Sequence, residues 1–210
     1  MDDDTKLESA YALETPEDNL RLYEAWATTY DADFVEGAGY RLPKLVADAF
    51  LALESSGPVL DVGCGTGAVT DHLPKHIVVD GLDLSRDMLD VAGKKGRYRR
   101  LIEANLLETL PIETASYGGV ICAGTFTHGH VGGTALPELV RILRRGALVV
   151  VTIRDQVWDS MGFGYAFENL HKTRMITAPD VKAERIYANP HLAPGKHGNG
   201  MAYLTTFRRR

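Results

Sequence analysis

The feature that most constrains this fold is a glycine-rich loop that follows directly on a short apolar run. The run covers residues 59–62, and the loop reads Gly63-Cys64-Gly65-Thr66-Gly67-Ala68. Glycine adopts positive φ without a steric penalty and lets a ligand approach the backbone closely. Such loops, where a buried strand turns into a helix, lie at the carboxyl edge of open α/β sheets, where these sheets bind ligands. We expect a helix from this loop to about Leu73.

Short apolar runs alternate with helical patterns along most of the chain. Besides residues 59–62, strands are predicted over residues 77–83, 100–103, 119–123 and 147–153. Helices are predicted over residues 42–53, after a cap at Ser85, and over residues 136–143 and 165–170. Residues 176–187 and 201–207 alternate like a closing antiparallel pair. Because strands that alternate with helices form parallel sheets, we expect an α/β, Rossmann-like, doubly wound sheet of seven mostly parallel strands with helices on both faces.

The length of 210 residues fits one domain, in which three regions are expected. Residues 1–14 have little apolar content and are expected to be a flexible N-terminus. Residues 15–54 contain two helical patterns and are expected to form a helical cap. Residues 55–210 carry the sheet pattern and are expected to form the main domain.

Charge and composition argue against several kinds of partner. The formal net charge of −5 gives no general attraction for nucleic acid or anionic membranes. No apolar run reaches the roughly 18 residues of a membrane-spanning helix. Two cysteines are too few for a disulfide framework and indicate a reducing compartment. We therefore expect a cytoplasmic protein, a monomer or weak dimer, that binds a small molecule rather than nucleic acid or a membrane.

Two classes of cofactor fit the glycine loop. Gly63, Gly65 and Ala68 satisfy the Gly-x-Gly-x-x-Ala fingerprint of dinucleotide-binding enzymes. Asp83 lies where the ribose hydroxyls of either cofactor are expected. Asp61 favours a second class, cofactors that end in an ammonium group, because a carboxylate two residues before the first glycine suits such a group. Gly67 adds a third glycine within the loop.

Residues 61–68 resemble motif I of the class I S-adenosylmethionine-dependent methyltransferases, and residues 81–85 resemble their second-strand acidic motif. Residues 103–106 and 110–111 resemble their third-strand signature, with Asn105 in place of the aspartate that usually receives the adenine amino group. An amide oxygen can accept the same hydrogen bond. A narrower resemblance, carried by Tyr30-Asp31, Tyr40-Arg41-Leu42-Pro43 and residues 127–131, is to the methyltransferase-like proteins named after the Williams–Beuren syndrome chromosome region.

The resemblance implies S-adenosylmethionine as the methyl donor and S-adenosylhomocysteine as the product. It implies donor contacts from the glycine loop, from the ends of the second, third and fourth strands, and from the cap. These residues are Asp61, Gly63, Gly65, Gly67, Asp83, Leu84, Met88, Asn105, Leu106, Ala123, Tyr30 and Arg41. For Arg41, contact with an acidic substrate or pairing with a surface acid is also open.

The acceptor is expected beyond the fourth strand, where His128 and His130 follow in a glycine-rich loop. His128 is a candidate general base, which is needed only if the nucleophile arrives protonated; a loop histidine bonded to backbone is the alternative. No metal site is expected, since no Cys or acid pattern completes the two histidines. The predicted function is methyl transfer to an oxygen or nitrogen nucleophile of an unidentified small molecule. A donor-binding sensor or scaffold without transferase activity is the first alternative, and an NAD-dependent oxidoreductase is the second.

Overall fold

The computed structural model describes residues 39–127, 131–189 and 198–210. The expected flexible N-terminus, the first predicted cap helix, Tyr30 and His128 lie outside these residues.

Seven strands and four helices form the described fold. The strands are β1 (Val59–Val62), β2 (Val79–Asp83), β3 (Tyr98–Glu103), β4 (Tyr117–Phe126), β5 (Leu143–Arg154), β6 (Asp180–Arg185) and β7 (Met201–Arg208). The helices are α1 (Leu42–Ala52), α2 (Arg86–Lys94), α3 (Leu136–Ile142) and α4 (Phe163–Lys172). Short 3₁₀ turns lie at Thr70–His72, Gly133–Ala135 and Asp155–Val157.

The strands form one open sheet in the order β3-β2-β1-β4-β5-β7-β6. Strands β1 to β5 pair in parallel, and β7 pairs antiparallel with both β5 and β6. The predicted seven-stranded, mostly parallel sheet is confirmed. The strand order reverses between β1 and β4, and a crevice opens at such a switch point beyond the carboxyl ends of the strands. The glycine loop follows β1 and therefore lies at this crevice.

Alternate residues of the central strands face two hydrophobic cores. Leu60 and Val62 of β1 face the core that receives Leu136 and Leu139 of α3 and Phe167 of α4. Val59 faces the other core, together with Val46 and Phe50 of α1. Helix α1, the second of the two predicted cap helices, packs against the sheet in this second core. Both faces of β1 are buried, as parallel strands between helical layers require.

Two predictions of secondary structure were wrong in detail. The loop after β1 leads only to the 3₁₀ turn at Thr70–His72 and not to a helix. Gly67, whose φ is 92°, and Pro74 leave little room for a helix between them, because a proline disfavours helical backbone in the residue before it, and Leu73 is extended. Leu143, expected in a helix, begins β5. The register with β4 shifts between Leu143 and Leu148, where Gly146 has a φ of 81°.

Within the described residues, no helix is long and apolar enough to cross a membrane.

Candidate functional site

The glycine loop packs closely on its neighbours except at its centre. A Cβ on Gly63 would lie 2.0 Å from Oγ1 of Thr125, and a Cβ on Gly67 would lie 3.0 Å from the ring of Tyr98. Side chains at these two positions would collide with β4 and β3. A Cβ on Gly65, whose φ is 52°, would meet no described atom within 4 Å. Gly65 therefore borders space that no described residue fills, and backbone of this kind can closely approach a ligand.

Asp83, the last residue of β2, joins two loops at the carboxyl edge of the sheet. Its Oδ2 accepts a hydrogen bond of 2.8 Å from the amide of Gly65, and its Oδ1 accepts one of 2.9 Å from the amide of Ser85. Burial raises the pKa of Asp83, while hydrogen bonds from the backbone of Ser85, Gly65 and Leu84 oppose this effect. Each carboxylate oxygen keeps further lone pairs with which it can accept from a ligand hydroxyl.

Asp61 is fully buried in the middle of β1, beneath the glycine loop. Its Oδ2 accepts a hydrogen bond of 2.7 Å from the hydroxyl of Tyr98. Within the described part of the chain, its Oδ1 has no hydrogen-bond partner. Burial raises the pKa of Asp61 to about 7; the Tyr98 hydrogen bond lowers it, and the charge of Asp83 raises it. Buried polar atoms almost always have partners, so this oxygen calls for an explanation.

Tyr98 and Thr125 shape the loop, and no sequence motif points to either of them. Tyr98 lies at the start of β3, one strand removed from β1, yet its hydroxyl reaches Asp61. Thr125 lies near the end of β4, and its hydroxyl donates to the carbonyls of Val62 at 3.1 Å and Gly63 at 3.4 Å. Both contacts join residues more than 30 positions apart in the chain, so no local pattern predicts them.

Asn105 follows β3, where the adenine contact is expected. Its Oδ1 accepts a hydrogen bond of 2.9 Å from the amide of Leu107, and its Nδ2 donates to Oε1 of Glu108 at 3.3 Å. The first bond makes an Asx turn, which sets the backbone of this loop. The amide oxygen has a second lone pair available to a ligand. The side chain of Leu106 is buried in the hydrophobic core, so a donor contact from this residue would have to come from its backbone.

The remaining predicted donor residues differ in their positions. Met88 is buried, and its amide donates to the hydroxyl of the N-cap residue Ser85, which confirms the predicted cap. Leu84 is half-buried in the loop after β2, and Ala123 is half-buried on β4. Arg41 caps α1 and contacts β6, where it donates to the carbonyl of Arg185 at 3.4 Å and lies 3.9 Å from a carboxylate oxygen of Glu184. The surface pairing that the sequence leaves open for Arg41 is thus present in the structure.

A cavity of about 640 Å³ opens at the opposite, amino edge of the sheet. Its described lining includes Phe50, Pro58, Val78 and Arg99 and contains no residue of the glycine loop. The converging polar groups described above lie at the carboxyl edge, which is where open α/β sheets bind ligands.

Comparison with known proteins shows which kind of domain this sheet and glycine loop form. Residues 60–151 match a family model described as a methyltransferase domain. Methyltransferase-like protein 27 of Homo sapiens is 33% identical over 156 residues, which are 71% of this chain and 63% of that protein. The chain contains a class I methyltransferase domain.

Other proteins that are similar to this methyltransferase domain are also named as methyltransferases. An O-methyltransferase of Pyrenophora dematioidea is 31% identical over 110 residues, 48% of this chain and 40% of that protein. The chain thus spans less than two thirds of the length of these two relatives. A solved structure of phosphoethanolamine N-methyltransferase 2 from Haemonchus contortus, with phosphomonomethylethanolamine and S-adenosylhomocysteine, superposes with a TM-score of 0.65 at 14% identity. The superposition covers 92% of this chain and 58% of the Haemonchus contortus chain, and it shows that the two share a fold.

S-adenosylmethionine is the methyl donor of this family, and the described residues fit it in two ways. Oδ1 of Asp61, which has no partner among the described residues, suits an ammonium group. The space beside Gly65, which none of those residues fills, suits a ligand that lies along the backbone. A dinucleotide fits less well, because its pyrophosphate binds at the N-terminus of a helix. In this methyltransferase domain the loop leads only to a three-residue 3₁₀ turn.

Among the described residues, no group of three His, Cys, Asp or Glu side chains could hold a metal ion. His128 and His130 lie outside those residues, so the role of His128 as a base stays a prediction, as does that of Tyr30 as a donor contact.

Proposed function

We propose that this chain transfers a methyl group from S-adenosylmethionine to an oxygen or nitrogen nucleophile of a small molecule. The observation that carries the proposal is the pair of carboxylates at the glycine loop. Asp83 holds the loop through the amide of Gly65, and Asp61 keeps one oxygen without a partner among the described residues. This arrangement suits a ligand with both hydroxyl groups and an ammonium group, as the methyl donor has.

Within this proposal, each side chain has a separate task. Asp83 accepts hydrogen bonds from the ribose hydroxyls, Asp61 faces the ammonium group, and Asn105 accepts from the adenine amino group. The bound donor supplies a methyl group already activated by its positively charged sulfur. The protein then has to align nucleophile and methyl group, and good alignment alone can contribute about 7–11 kcal/mol to lowering a barrier. This explains why methyl transfer needs no catalytic triad.

The acceptor is proposed as a small molecule on the strength of the relatives. One is named as an O-methyltransferase, and one structural neighbour as an N-methyltransferase solved with phosphomonomethylethanolamine. His128 is the proposed general base for a protonated acceptor, and Tyr30 and Arg41 are the proposed contacts from the N-terminal side. We further propose the narrower relationship to the methyltransferase-like proteins, a cytoplasmic location, a monomeric or weakly dimeric state and no nucleic-acid partner. The division at residues 15–54 and 55–210 belongs to the same proposal.

Two measurements test the function. S-adenosylhomocysteine should raise the melting temperature and NAD should not; a ligand at 100 times its dissociation constant adds about 2.7 kcal/mol to the free energy of unfolding. Labelled S-adenosylmethionine with a metabolite extract should then transfer its label to a small molecule. Binding without turnover would favour the sensor or scaffold. Stabilisation by NAD alone would overturn the donor assignment.

A further inference from the structure

Tyr98 of β3 contacts the glycine loop with its ring and Asp61 of β1 with its hydroxyl. A Cβ on Gly67 would lie 3.0 Å from ring atom Cε2, and a Cβ on Gly81 would lie 3.1 Å from ring atom Cδ1. The ring is therefore enclosed between the loop after β1 and strand β2. Its hydroxyl donates to Oδ2 of Asp61 at 2.7 Å. Because the ring is held on two sides, the hydrogen bond fixes the orientation of the Asp61 carboxylate.

This single hydrogen bond makes the two oxygens of Asp61 different. Oδ2 is occupied by the phenol, while Oδ1 has no partner within the described residues. Among the residues that the structure describes, the ionisable groups that interact with Asp61 are Tyr98 on β3, Asp83 at the end of β2, Cys64 in the loop and Cys122 on β4. None of these four can carry a positive charge. The buried carboxylate thus accepts a hydrogen bond from a neutral donor, and no positive charge among the described residues balances its negative charge.

We propose that Tyr98 is a positioning residue of the donor site, which holds one oxygen of Asp61 and leaves the other for the ammonium group of the methyl donor. The inference rests on the proposed function and adds to it a residue outside the recognised motifs. A lysine or arginine in place of Tyr98 would neutralise Asp61 permanently and compete with the ligand. A phenol orients and stabilises the carboxylate without adding charge, so the attraction for a cationic ligand is kept.

Binding of the donor product should depend on pH. An ammonium group binds the ionised form of Asp61, and burial brings the pKa of this carboxyl to about 7. Affinity for the donor product should therefore rise as pH increases through about 7. The Tyr98 hydrogen bond favours the ionised form, so its removal should move this rise to higher pH. The ammonium group of the ligand titrates in the same way with either protein, so the shift between them reports on Asp61.

Tyr117 offers a matched control. Its hydroxyl also donates to a fully buried aspartate, Oδ2 of Asp80, at 2.7 Å. Tyr117 begins β4, at the amino edge of the sheet and opposite the glycine loop. Tyr117→Phe therefore removes the same kind of hydrogen bond with the same loss of one oxygen atom. It should alter stability but leave the affinity for S-adenosylhomocysteine and its pH dependence unchanged.

Calorimetric titration of the full chain with S-adenosylhomocysteine from pH 6 to pH 9 tests the proposal. Tyr98→Phe should weaken binding about fivefold at pH 7, because a rise that moves up by about one pH unit leaves about a fifth as much ionised Asp61 at that pH. The rise in affinity should move up by about one pH unit. If Tyr98→Phe binds like the wild type at every pH, Tyr98 has no positioning role. If the wild type itself does not bind, the proposed function has failed instead.

Asp61→Asn keeps the test decisive if Tyr98→Phe alone is poorly folded. Asparagine carries no charge, so removing the Tyr98 hydroxyl from the Asp61→Asn variant does not leave a buried carboxylate without its hydrogen bond. Asp61→Asn and Asp61→Asn/Tyr98→Phe should bind S-adenosylhomocysteine with equal affinity, because Tyr98 acts only through the carboxylate. A further loss of affinity in the double variant would show that Tyr98 acts on the ligand by another route and would overturn the inference.

Discussion

Replacing Asp61 with asparagine should stabilise the ligand-free protein at high pH relative to its stability at low pH. The side chain is fully buried, and its carboxyl has a pKa of about 7 in the folded protein against 3.8 for an ordinary aspartate. Between these two values the carboxyl is protonated in the folded chain and ionised in the unfolded chain. Folding then takes up a proton, so the free energy of unfolding falls as pH rises through this window.

The size of the effect follows from the separation of the two pKa values. Roughly three pKa units at 1.36 kcal/mol each set a ceiling of about 4 kcal/mol, fully lost once pH exceeds about 7. About 1.6 kcal/mol of this is already lost at pH 5, and about 2.7 kcal/mol is lost between pH 5 and pH 8. Asparagine does not ionise, so the variant should escape this decline. For a chain of this length, the relative gain corresponds to roughly 5–10 °C in melting temperature.

Denaturant unfolding of both proteins at pH 5 and pH 8, without ligand, measures this change. Asparagine brings a packing and hydrogen-bonding cost of its own, because its amide group lies where Oδ1 has no partner among the described residues. That cost does not depend on pH, so it cancels when the difference between variant and wild type at pH 5 is subtracted from that at pH 8. S-adenosylhomocysteine at pH 8 should stabilise the wild type more than Asp61→Asn.

Parallel stability curves for the two proteins between pH 5 and pH 8 would refute this reasoning. They would mean that Asp61 is ionised in the folded protein throughout this range and that a partner or water neutralises its burial. A difference between the two curves that is confined to pH values below 4 would mean that the pKa of Asp61 in the folded protein lies below its ordinary value, and it would equally contradict the prediction.

Three further predictions concern the other carboxylates and the expected adenine contact. Asp83→Ala should weaken S-adenosylhomocysteine binding by about 1.5–3 kcal/mol, because it removes the proposed acceptor for the ribose hydroxyls; unchanged affinity in calorimetry would place the ribose elsewhere. Asn105→Asp should preserve or tighten binding, since a carboxylate is the stronger acceptor; a large loss in the same assay would mean that Asn105 donates. Asp80→Asn should lower the free energy of unfolding at pH 7 by roughly 1.5–3 kcal/mol, the range for losing a hydrogen bond to a charged group, because Arg99 and Arg100 are about half exposed and can be hydrated. Burial raises the pKa of Asp80, but the hydrogen bonds from Arg99, Tyr117 and Arg100 outweigh it and hold the pKa at about 2. This difference from wild type should therefore shrink as pH falls from about 4 towards 2 in denaturant unfolding.

The parts of the fold that could be predicted are those encoded by neighbouring residues. The apolar run at residues 59–62 forms β1, and Ser85 caps a helix because its side chain and the Met88 amide are three positions apart. The predicted helix after the glycine loop is absent for a reason that is also local. Pro74 is visible in the sequence, and its restriction of Leu73 argues against a helix that ends there.

The contacts that organise the site could not be predicted, because they depend on which strands become neighbours. Tyr98 reaches Asp61 across β2, and Thr125 reaches the loop from β4. Each joins residues that are distant in the chain, and neither a tyrosine nor a threonine in a strand is unusual enough to attract notice. The sequence motif predicts Asp61 as a ligand residue, but only the structure shows that its two oxygens differ.

The two buried tyrosine–aspartate pairs show how one sheet treats the same interaction at its two edges. At the amino edge, Asp80 accepts from Tyr117 and also from Arg99 and Arg100, so its charge is balanced within the protein. At the carboxyl edge, Asp61 accepts from Tyr98 and has no cationic partner among the described residues. A buried carboxylate without a balancing charge destabilises a fold. Asp80 shows that this sheet can balance such a carboxylate with its own side chains. On the proposed function, the charge of Asp61 is balanced only when the ammonium group of the methyl donor is bound, so that ligand binding would relieve the cost of burying this carboxylate.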